Sequence, residues 1–155
     1  MVFDIPGRNH YEIRHLVVDY NGTLALDGAL LPGVGQRLQA LSTQLSIHVL
    51  TADTFGCAAA QIEGLALPLA VIPTENQNLH KKNYVEVLGS SSCVCIGNGR
   101  NDSQMLEAAA IGIAVVQQEC AAAAALRSAD IIAPDIVSAL DLLLHPLRLK
   151  ATLRY

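Results

Sequence analysis

Three clusters of small polar residues in this sequence each follow directly on a short apolar run. Residues 19–23 read D-Y-N-G-T, residues 51–54 read T-A-D-T and residues 97–102 read G-N-G-R-N-D. An aspartate such as Asp19 can attack phosphorus and form a covalent aspartyl phosphate. The hydroxyl of Thr51 can bond a phosphate oxygen, and a lysine can neutralise charge on a transferring phosphoryl group. These residue types indicate phosphoryl-group chemistry.

Glycines and oxygen-bearing side chains in the same clusters suit the other needs of this chemistry. Gly22 and Gly99 permit tight turns whose backbone amides point at an anion. Mg²⁺ prefers hard oxygen ligands, commonly one or two carboxylates together with phosphate and water. The clusters therefore predict an anion pocket beside a magnesium site.

The apolar runs that precede the clusters belong to a regular alternation of strand and helix candidates. The strand candidates are residues 16–18, 45–50, 69–72, 93–96 and 113–116. Their continuous apolar character is typical of strands that are covered on both faces of a parallel sheet. The helix candidates are residues 34–42, 55–63, 79–88, 103–110, 120–127 and 136–144. Gly89 and Gly112 stand where helix C-caps are expected, and Pro146 should end the last helix.

This alternation predicts an α/β fold with a doubly wound, mainly parallel five-stranded sheet and helices on both faces. In such a sheet, ligands bind outside the carboxyl ends of the strands, near the point where the strand order reverses. Parallel strands would bring the three polar clusters to that edge. We expect one domain over residues 1–155, with its core at about 14–144. Residues 1–13 would form a hairpin or edge strand, and 145–155 a basic, solvated or subunit-contacting tail.

Composition narrows the class of protein. The chain has 155 residues, of which 52% are hydrophobic and 15% charged, as in a globular protein. Its formal net charge of −4 argues against binding to nucleic acid or to anionic membranes. No apolar stretch approaches the roughly 20 residues of a membrane span, and no signal peptide is visible, so we expect a cytoplasmic protein. The apolar excess, although rich in alanine, favours contact with another subunit.

The cysteines and histidines give weaker signals. The four cysteines do not make a disulfide framework, and a cytosolic chain would keep them reduced. Cys93-x-Cys95 could be half of a metal site, but its apolar setting favours buried core thiols. The five histidines share no spacing and are interpreted as structural or surface residues.

Taken in order, the three clusters resemble the motifs of the haloacid dehalogenase (HAD) superfamily, and within it the phosphorylation domain of P-type ATPases. Residues 19–24, D-Y-N-G-T-L, look like the motif D-x-D-G-T-L or its pump version D-K-T-G-T-L. Residues 50–53, L-T-A-D, are similar to the pumps' threonine-glycine-aspartate segment, and residues 97–102 resemble G-D-G-x-N-D. The likeness covers about residues 16–144 and fits the soluble, capless P-type-ATPase-like branch of the superfamily.

The resemblance implies a role for each matching position. Asp19 would be the nucleophile and a metal ligand, and the backbone carbonyl of Asn21 a second ligand. Lys81 would be the motif lysine, with Lys82 as the alternative. Asp102 would anchor the coordination shell of Mg²⁺. The implied phosphate-binding set is Gly22, Thr51, Ala52 and Lys81, and the implied metal set is Asp19, Asn21, Asn98 and Asp102.

Two positions depart from the family pattern. Family phosphatases usually carry an aspartate as general acid and base two residues after the nucleophile, where this chain has Asn21, which cannot exchange a proton near neutral pH. Pumps also lack a carboxylate there and form a comparatively long-lived phosphoenzyme, so slow turnover is implied. Asn98 replaces a metal-binding aspartate. Because one charge at contact distance is worth roughly several kcal/mol at an effective dielectric of about 20, Asn98 should lower the affinity for Mg²⁺.

Plainer interpretations remain open for the same residues. The Asp19 loop could merely end a strand, Thr51 and Asp102 could cap helices, and both lysines could lie on a solvated helix face. Two functions follow: a Mg²⁺-dependent phosphohydrolase acting on a small phosphorylated substrate or a phosphoprotein, or a regulatory domain that binds phosphate with negligible turnover. Capless members of the family often assemble so that a neighbour covers the site, which implies a dimer or tetramer.

Overall fold

The computed structural model describes residues 1–5, 10–52, 58–65 and 67–154 of the chain. The strands in these ranges are β1 (Val2–Asp4), β2 (His10–Glu12), β3 (His15–Asp19), β4 (Ala25–Leu26), β5 (Ala29–Leu30), β6 (Ser46–Thr51), β7 (Leu69–Val71), β8 (Cys93–Gly97), β9 (Ile111–Val115) and β10 (Ile131–Ala133). The helices are α1 (Val34–Ser42), α2 (Ala58–Glu63), α3 (Gln77–Leu88), α4 (Ser103–Ala108), α5 (Ala123–Ser128), α6 (Ile136–Leu144) and α7 (Pro146–Leu153). Residues 55–57 of the predicted helix 55–63 lie outside the described residues.

The central sheet of the described residues has six strands in the order β10-β9-β8-β3-β6-β7. Every neighbouring pair in it is parallel. From β3 the chain winds outward through β6 and β7, then returns to β8 and winds the opposite way through β9 and β10. The strand order therefore reverses beside β3, where an open α/β sheet forms its ligand crevice. The doubly wound α/β prediction is confirmed.

The sheet has one strand more than the predicted five. The additional strand, β10, has three residues and pairs with β9 in the register Ile131↔Ile113. Its central residue, Ile132, is 58% exposed, while its neighbours are buried. A short edge strand with one outward side chain lacks the long apolar run by which the other strands were predicted.

Helices cover both faces of the sheet, as predicted. Leu16 and Val18 of β3 belong to an apolar cluster that includes residues of α1 and α6, whereas Val17 belongs to a second cluster with residues of α3, α4 and α5. Successive side chains of a strand point to opposite faces. A strand covered on both faces must therefore be apolar at every position, which explains the continuous apolar runs.

Small antiparallel hairpins occupy two places outside the central sheet. β1 pairs with β2, and β4 pairs with β5 directly after the Asp19 loop. The buried Tyr20 fixes the second hairpin, because its hydroxyl donates to the carbonyl of Gly28 at 2.9 Å. Within the described ranges only this hairpin and the short helix α2 occupy the connections where a cap could be inserted, so no cap domain is present there.

Two local predictions need correction. Residues 146–153, expected to be part of a solvated or subunit-contacting tail, form the helix α7, and Leu149 on this helix is fully buried within the chain. Pro146 ends α6 as predicted but also begins α7, a position that suits proline because its missing N–H is not needed there. Gly112 is not a helix cap and lies within β9, where an added Cβ would come within 2.4 Å of the carbonyl oxygen of Leu106.

The Cys93-x-Cys95 pair consists of free, buried thiols on β8. Burial raises the pKa of Cys93 to about 11 and that of Cys95 well above its ordinary value, so both resist forming the thiolate that a metal requires. The interpretation as core thiols is confirmed. Among the described helices, none has the length and apolar character needed to cross a membrane.

Candidate active site

Two of the predicted site residues end neighbouring strands at the carboxyl edge of the sheet. Asp19 is the last residue of β3 and Thr51 the last residue of β6. The two strands pair in the register Asp19↔Leu50, so Thr51 lies one position beyond the partner of Asp19. Asp19 is 7% exposed and Thr51 1% exposed, so both side chains are buried at this edge. Residues 53 and 54 of the predicted polar cluster 51–54 lie outside the described residues.

Lys81 connects the sheet edge to helix α3. Its ammonium Nζ lies 2.5 Å from Asp19 Oδ1 and 2.6 Å from Asp102 Oδ1. The side chain of Lys81 is 1% exposed, whereas that of Lys82 is 40% exposed and lies 3.4 Å from Glu86. Neighbouring residues of a helix face different directions, and here the inward position belongs to Lys81. The structure therefore brings Lys81, and not Lys82, to Asp19.

Asp102 lies in the 3₁₀ turn Arg100–Asp102 that follows β8 and is fully buried. Its Oδ2 accepts hydrogen bonds from the backbone amides of Asn98 at 3.0 Å and Gly99 at 2.8 Å. Its side chain makes no capping bond to the following helix α4. Gly97 leaves room for this carboxylate, because a Cβ there would lie 2.5 Å from Asp102 Cγ. Asp102 thus binds the ammonium of Lys81 with one oxygen and fixes the loop after β8 with the other.

Two carboxylates share a single ammonium in this buried cluster. Burial, reinforced by the neighbouring Asp102, raises the pKa of Asp19 to about 6, although Lys81 acts in the opposite direction. Burial favours the neutral amine of Lys81, but Asp19 and Asp102 outweigh it and raise the pKa of Lys81 above its ordinary value. Lys81 is therefore a permanent cation at neutral pH, and Asp19 is ionised there.

Asn98 reaches the same site through Thr23. The hydroxyl of Thr23 lies 3.1 Å from Asp19 Oδ2 and 3.1 Å from Asn98 Oδ1. The amide Nδ2 of Asn98 donates to the carbonyl of Cys120 at 3.0 Å. Thr23 was not among the predicted site residues, although its place four residues after Asp19 in the same motif could have pointed to it.

The turn after Asp19 supplies the remaining predicted residues. Gly22 has a φ of 77°, a left-handed conformation that glycine adopts without steric cost. Asn21 is partly buried, and its Oδ1 is buried without a hydrogen-bond partner among the described residues. Ala52 follows Thr51 and is partly buried.

Gln117 also joins the site, and no sequence signal had indicated it. Its Nε2 donates to the carbonyls of Gly22 at 2.8 Å and Thr23 at 2.7 Å. Its Oε1 accepts from the backbone amide of Ile136 at 3.0 Å. Gln117 follows β9 in a segment that matches no catalytic motif, so only the fold reveals the contact.

The oxygen atoms at this edge fit a hard divalent cation better than a soft one. Among the described residues, no three His, Cys, Asp or Glu side chains are grouped so that they could hold a metal by themselves. The donor atoms grouped around the Thr23 hydroxyl are a carboxylate oxygen of Asp19 and the amide oxygen of Asn98. Mg²⁺ needs only one or two carboxylates when phosphate and water complete its shell, so the set suits Mg²⁺ bound together with a phosphate.

A cavity of about 770 Å³ lies between the start of α3 and the loop after β8. Its lining is rich in amides and hydroxyls and includes one cation: Thr74, Asn76, Gln77, Asn78, Arg100, Asn101, Ser103, Gln104 and Ala124. Asn101 Nδ2 donates to Gln77 Oε1 at 2.6 Å, which joins the two walls. Gln77 lies one helical turn before Lys81 and Asn101 directly precedes Asp102, although Lys81 and Asp102 themselves do not line the cavity.

Two proteins of Methanocaldococcus jannaschii are similar to this chain in sequence. It is 49% identical to the uncharacterized protein MJ0073 over 61 residues, which are 39% of this chain and 66% of that protein. It is 44% identical to the uncharacterized protein MJ0072 over 39 residues, which are 25% of this chain and 89% of that protein. No protein-family model matches the sequence.

Solved structures of HAD hydrolases resemble this one. A Legionella pneumophila protein assigned to subfamily III A of these hydrolases matches with a TM-score of 0.73 and 19% identity, covering 92% of this chain and 87% of that chain. The 3-deoxy-D-manno-octulosonate 8-phosphate phosphatase of Moraxella catarrhalis, solved with magnesium, phosphate and the sugar acid, matches with a TM-score of 0.70 and 19% identity, covering 86% of each chain. The chain therefore has the fold of the HAD superfamily.

Proposed function

We propose that this protein is a phosphohydrolase that works through an aspartyl phosphate on Asp19 and requires Mg²⁺. The observation that carries the proposal is the buried contact of Lys81 with both Asp19 and Asp102, 2.5 Å and 2.6 Å away. A carboxylate and a permanent cation at the carboxyl edge of a HAD-like sheet are what attack on a phosphomonoester needs. The fold of the HAD phosphatases supports the same reaction class.

In the first step a carboxylate oxygen of Asp19 attacks phosphorus while the bond from phosphorus to the leaving oxygen breaks. The leaving group takes up a proton from solvent, and the phosphoryl group remains on Asp19. Water then attacks the phosphorus, the acyl phosphate bond breaks, and inorganic phosphate leaves with the Asp19 carboxylate restored. Asp19 acts as a nucleophile only when ionised, so activity should fall as the pH drops below the range in which Asp19 is charged.

The remaining predicted residues bind and orient the phosphoryl group. Lys81 offsets the charge that develops on the transferring oxygens, and the hydroxyl of Thr51 and the backbone amides near Gly22 and Ala52 hold them. Asp102 keeps the ammonium of Lys81 in place. Asp19, the backbone carbonyl of Asn21 and the amide oxygen of Asn98 would hold Mg²⁺, with Asp102 behind them. When bound, the metal ion would neutralise phosphate charge and fix the phosphate for in-line attack.

Turnover should be slow because Asn21 cannot act as general acid or base. The leaving group and the attacking water must then exchange protons with solvent, and general acid–base catalysis of roughly 10²- to 10⁴-fold is lost. Slow turnover would agree with the P-type-ATPase-like branch of the superfamily, whose motif residues 97–102 resemble. The aspartyl phosphate should accumulate during the reaction.

The cavity between the start of α3 and the loop after β8 would suit the polar organic part of a small phosphomonoester. Its amides and hydroxyls can bond a polyhydroxylated group, and Arg100 can pair with a second anionic group on it. The Moraxella catarrhalis phosphatase is named for such a substrate, a phosphorylated sugar acid. A phosphoprotein is the alternative substrate, because no cap domain covers the described part of the site.

The test is hydrolysis of an aryl phosphate with and without Mg²⁺, in parallel with Asp19→Asn. We expect slow release of inorganic phosphate that needs Mg²⁺ and disappears in Asp19→Asn, and a hydroxylamine-sensitive phosphoenzyme in the wild type alone. Activity that survives in Asp19→Asn would show that another protein or residue is responsible.

A second function is favoured by the two asparagines. Asn98 already bonds Thr23 and Cys120 through its side chain, and Asn21 cannot act as an acid or a base near neutral pH. In a domain that binds phosphate with negligible turnover, Lys81 would still bind the phosphate group, but no hydrolysis would follow. Phosphate binding by the wild-type protein, without product release from any phosphoester, would establish this function in place of the first.

A further inference from the structure

The segment 117–122 is fixed against two of the loops that form the candidate site. Gln117 bonds the carbonyls of Gly22 and Thr23 in the loop after β3. In the loop after β8, the side chain of Asn98 donates to the carbonyl of Cys120 at 3.0 Å, and the amide of Ala122 donates to the carbonyl of Asn98 at 2.9 Å. The backbone of this segment is therefore held close to Asn98.

Glu119 in this segment brings a carboxylate to Asn98. A Cβ placed on Gly22 would lie 2.8 Å from Glu119 Oε2, 2.6 Å from Asn98 Nδ2 and 3.0 Å from Asn98 Oδ1. All three atoms therefore surround one point beside the turn that follows Asp19. Glu119 is exposed and forms no ion pair with another described residue, so its charge is not neutralised within the described chain.

We propose that Glu119 is a ligand of the divalent cation and supplies the negative charge that Asn98 lacks. This inference rests on the proposed function, because it assigns a ligand to the same metal site. It also explains how a site with an asparagine at the metal-binding position could still attract Mg²⁺.

The charges of the cluster support this assignment. Asp19 and Asp102 together carry two negative charges against one positive charge on Lys81, which leaves one net negative charge. Asp102 already accepts bonds from Lys81 and from two backbone amides. With Glu119 the net charge would be two negative charges, which matches the charge of Mg²⁺ in size. The carboxylate oxygens of Glu119 form no ion pair with another described residue.

The test is calorimetric titration of the full chain with MgCl₂ in the absence of substrate. We expect Glu119→Gln to weaken Mg²⁺ binding by about tenfold or more, the effect of one charge near the ion after solvent screening. The matched control is Glu107→Gln, on the exposed surface of α4, which should bind Mg²⁺ within about twofold of the wild type. Asn98→Asp should restore binding in the Glu119→Gln background, because it returns a carboxylate to the same point.

Three results would overturn the assignment: unchanged affinity in Glu119→Gln, an equal loss in Glu107→Gln, or no Mg²⁺ binding by the wild type. Thermal unfolding without Mg²⁺ should be the same for the wild type and Glu119→Gln, and a lower midpoint in the variant would show a structural role instead. The outcome is separate from the hydrolysis test. Mg²⁺ binding that depends on Glu119, without any hydrolysis, would refute the proposed phosphohydrolase activity. Hydrolysis by the wild type, with unaltered Mg²⁺ binding in Glu119→Gln, would refute Glu119 as a metal ligand.

Discussion

The two neighbouring lysines of α3 occupy opposite environments. Lys81 lies buried between Asp19 and Asp102, while Lys82 faces solvent and pairs with Glu86 one turn further on. A buried cation is retained only when its partners compensate for lost hydration, and removing it leaves two carboxylates close together and uncompensated. The same substitution at the two positions therefore separates the effect of the cluster from that of the helix.

We expect Lys81→Met to destabilise the protein at pH 7.5 by about 3 kcal/mol or more, and Lys82→Met by roughly 0.5 kcal/mol or less. Urea unfolding followed by circular dichroism measures both. Because folded Lys81→Met can relieve the repulsion by protonating a carboxyl group, its stability should recover as the pH is lowered towards 5. Equal effects of the two substitutions would contradict the buried position of Lys81.

Gly22 provides a second test at the residue scale. Its φ of 77° is strained for alanine, and the added Cβ would meet Asn98 and Glu119 at 3.0 Å or less. We expect Gly22→Ala to cost about 1–2 kcal/mol of stability from the backbone alone and to weaken phosphate binding. The control is Gly64→Ala, where nothing lies within 4 Å of the added Cβ. A fully stable Gly22→Ala would show that the turn has another conformation.

A chain of three side chains joins three elements on one face of the sheet. His15 Nδ1 of β3 lies 3.1 Å from His48 Nε2 of β6, and His48 Nδ1 lies 3.0 Å from the hydroxyl of Tyr84 on α3. Burial lowers the pKa of both histidines, with smaller contributions from neighbouring charges. The folded protein therefore favours both imidazoles in their neutral form.

This chain should make stability depend on pH. A histidine whose pKa is lowered by folding binds protons more readily when unfolded, so the folded state loses stability as the pH falls through about 6.5. We expect wild-type protein to lose more stability between pH 7.5 and 5.5 than His48→Gln does. His80→Gln, at an exposed position of α3, should keep the wild-type dependence. Unfolding midpoints in urea at the two pH values give the comparison, and parallel curves for all three proteins would exclude the effect.

The elements that were predicted from sequence are those with long, regular signals. The apolar runs of β3 and β8 and the apolar spacing of α1 and α6 indicated their places, since each element buries a large face. β10 was missed because its three residues give no long apolar run, and α7 because its burial depends on elements distant in the chain such as β1. Gly112 was misread because the signal that marks a helix end also marks a close contact between strand and helix.

The candidate site was predictable where its residues belong to short contiguous motifs. Asp19, Asn98 and Asp102 follow β3 and β8, and the parallel sheet brings these strand ends together. The choice between Lys81 and Lys82 depends on which face of α3 is turned towards the sheet. Two adjacent lysines in the sequence do not indicate that face. Gln117 and Glu119 were not predicted, because their contacts depend on the path of an irregular segment after β9.

At the scale of the whole molecule, apolar side chains remain exposed on both edge strands of the central sheet. Val71 of β7 is 63% exposed and Ile132 of β10 is 58% exposed. Edge strands of monomeric proteins commonly carry charges that discourage pairing with another sheet, and β7 and β10 contain none. This pattern supports the proposal that the chain forms a homodimer or homotetramer.

We expect the protein to behave in light scattering as an assembly larger than its 16.4 kDa chain. Ile132→Lys should shift it towards the monomer by placing a charge on the β10 edge. Val87→Lys, at an 87% exposed position on α3, is the matched control and should leave the assembly unchanged. A wild-type mass equal to one chain would refute the proposal.

The three hydrogen bonds of Gln117 have a consequence for motion. One amide side chain joins the turn at Gly22 and Thr23, its own segment after β9, and the first residue of α6, Ile136. Local opening of any of these segments must break a bond of Gln117, so we expect the segments to open together. Their backbone amides should therefore exchange with deuterium at a common rate. Opening of the crevice at this end of the sheet would then require the hydrogen bonds of the Gln117 side chain to break.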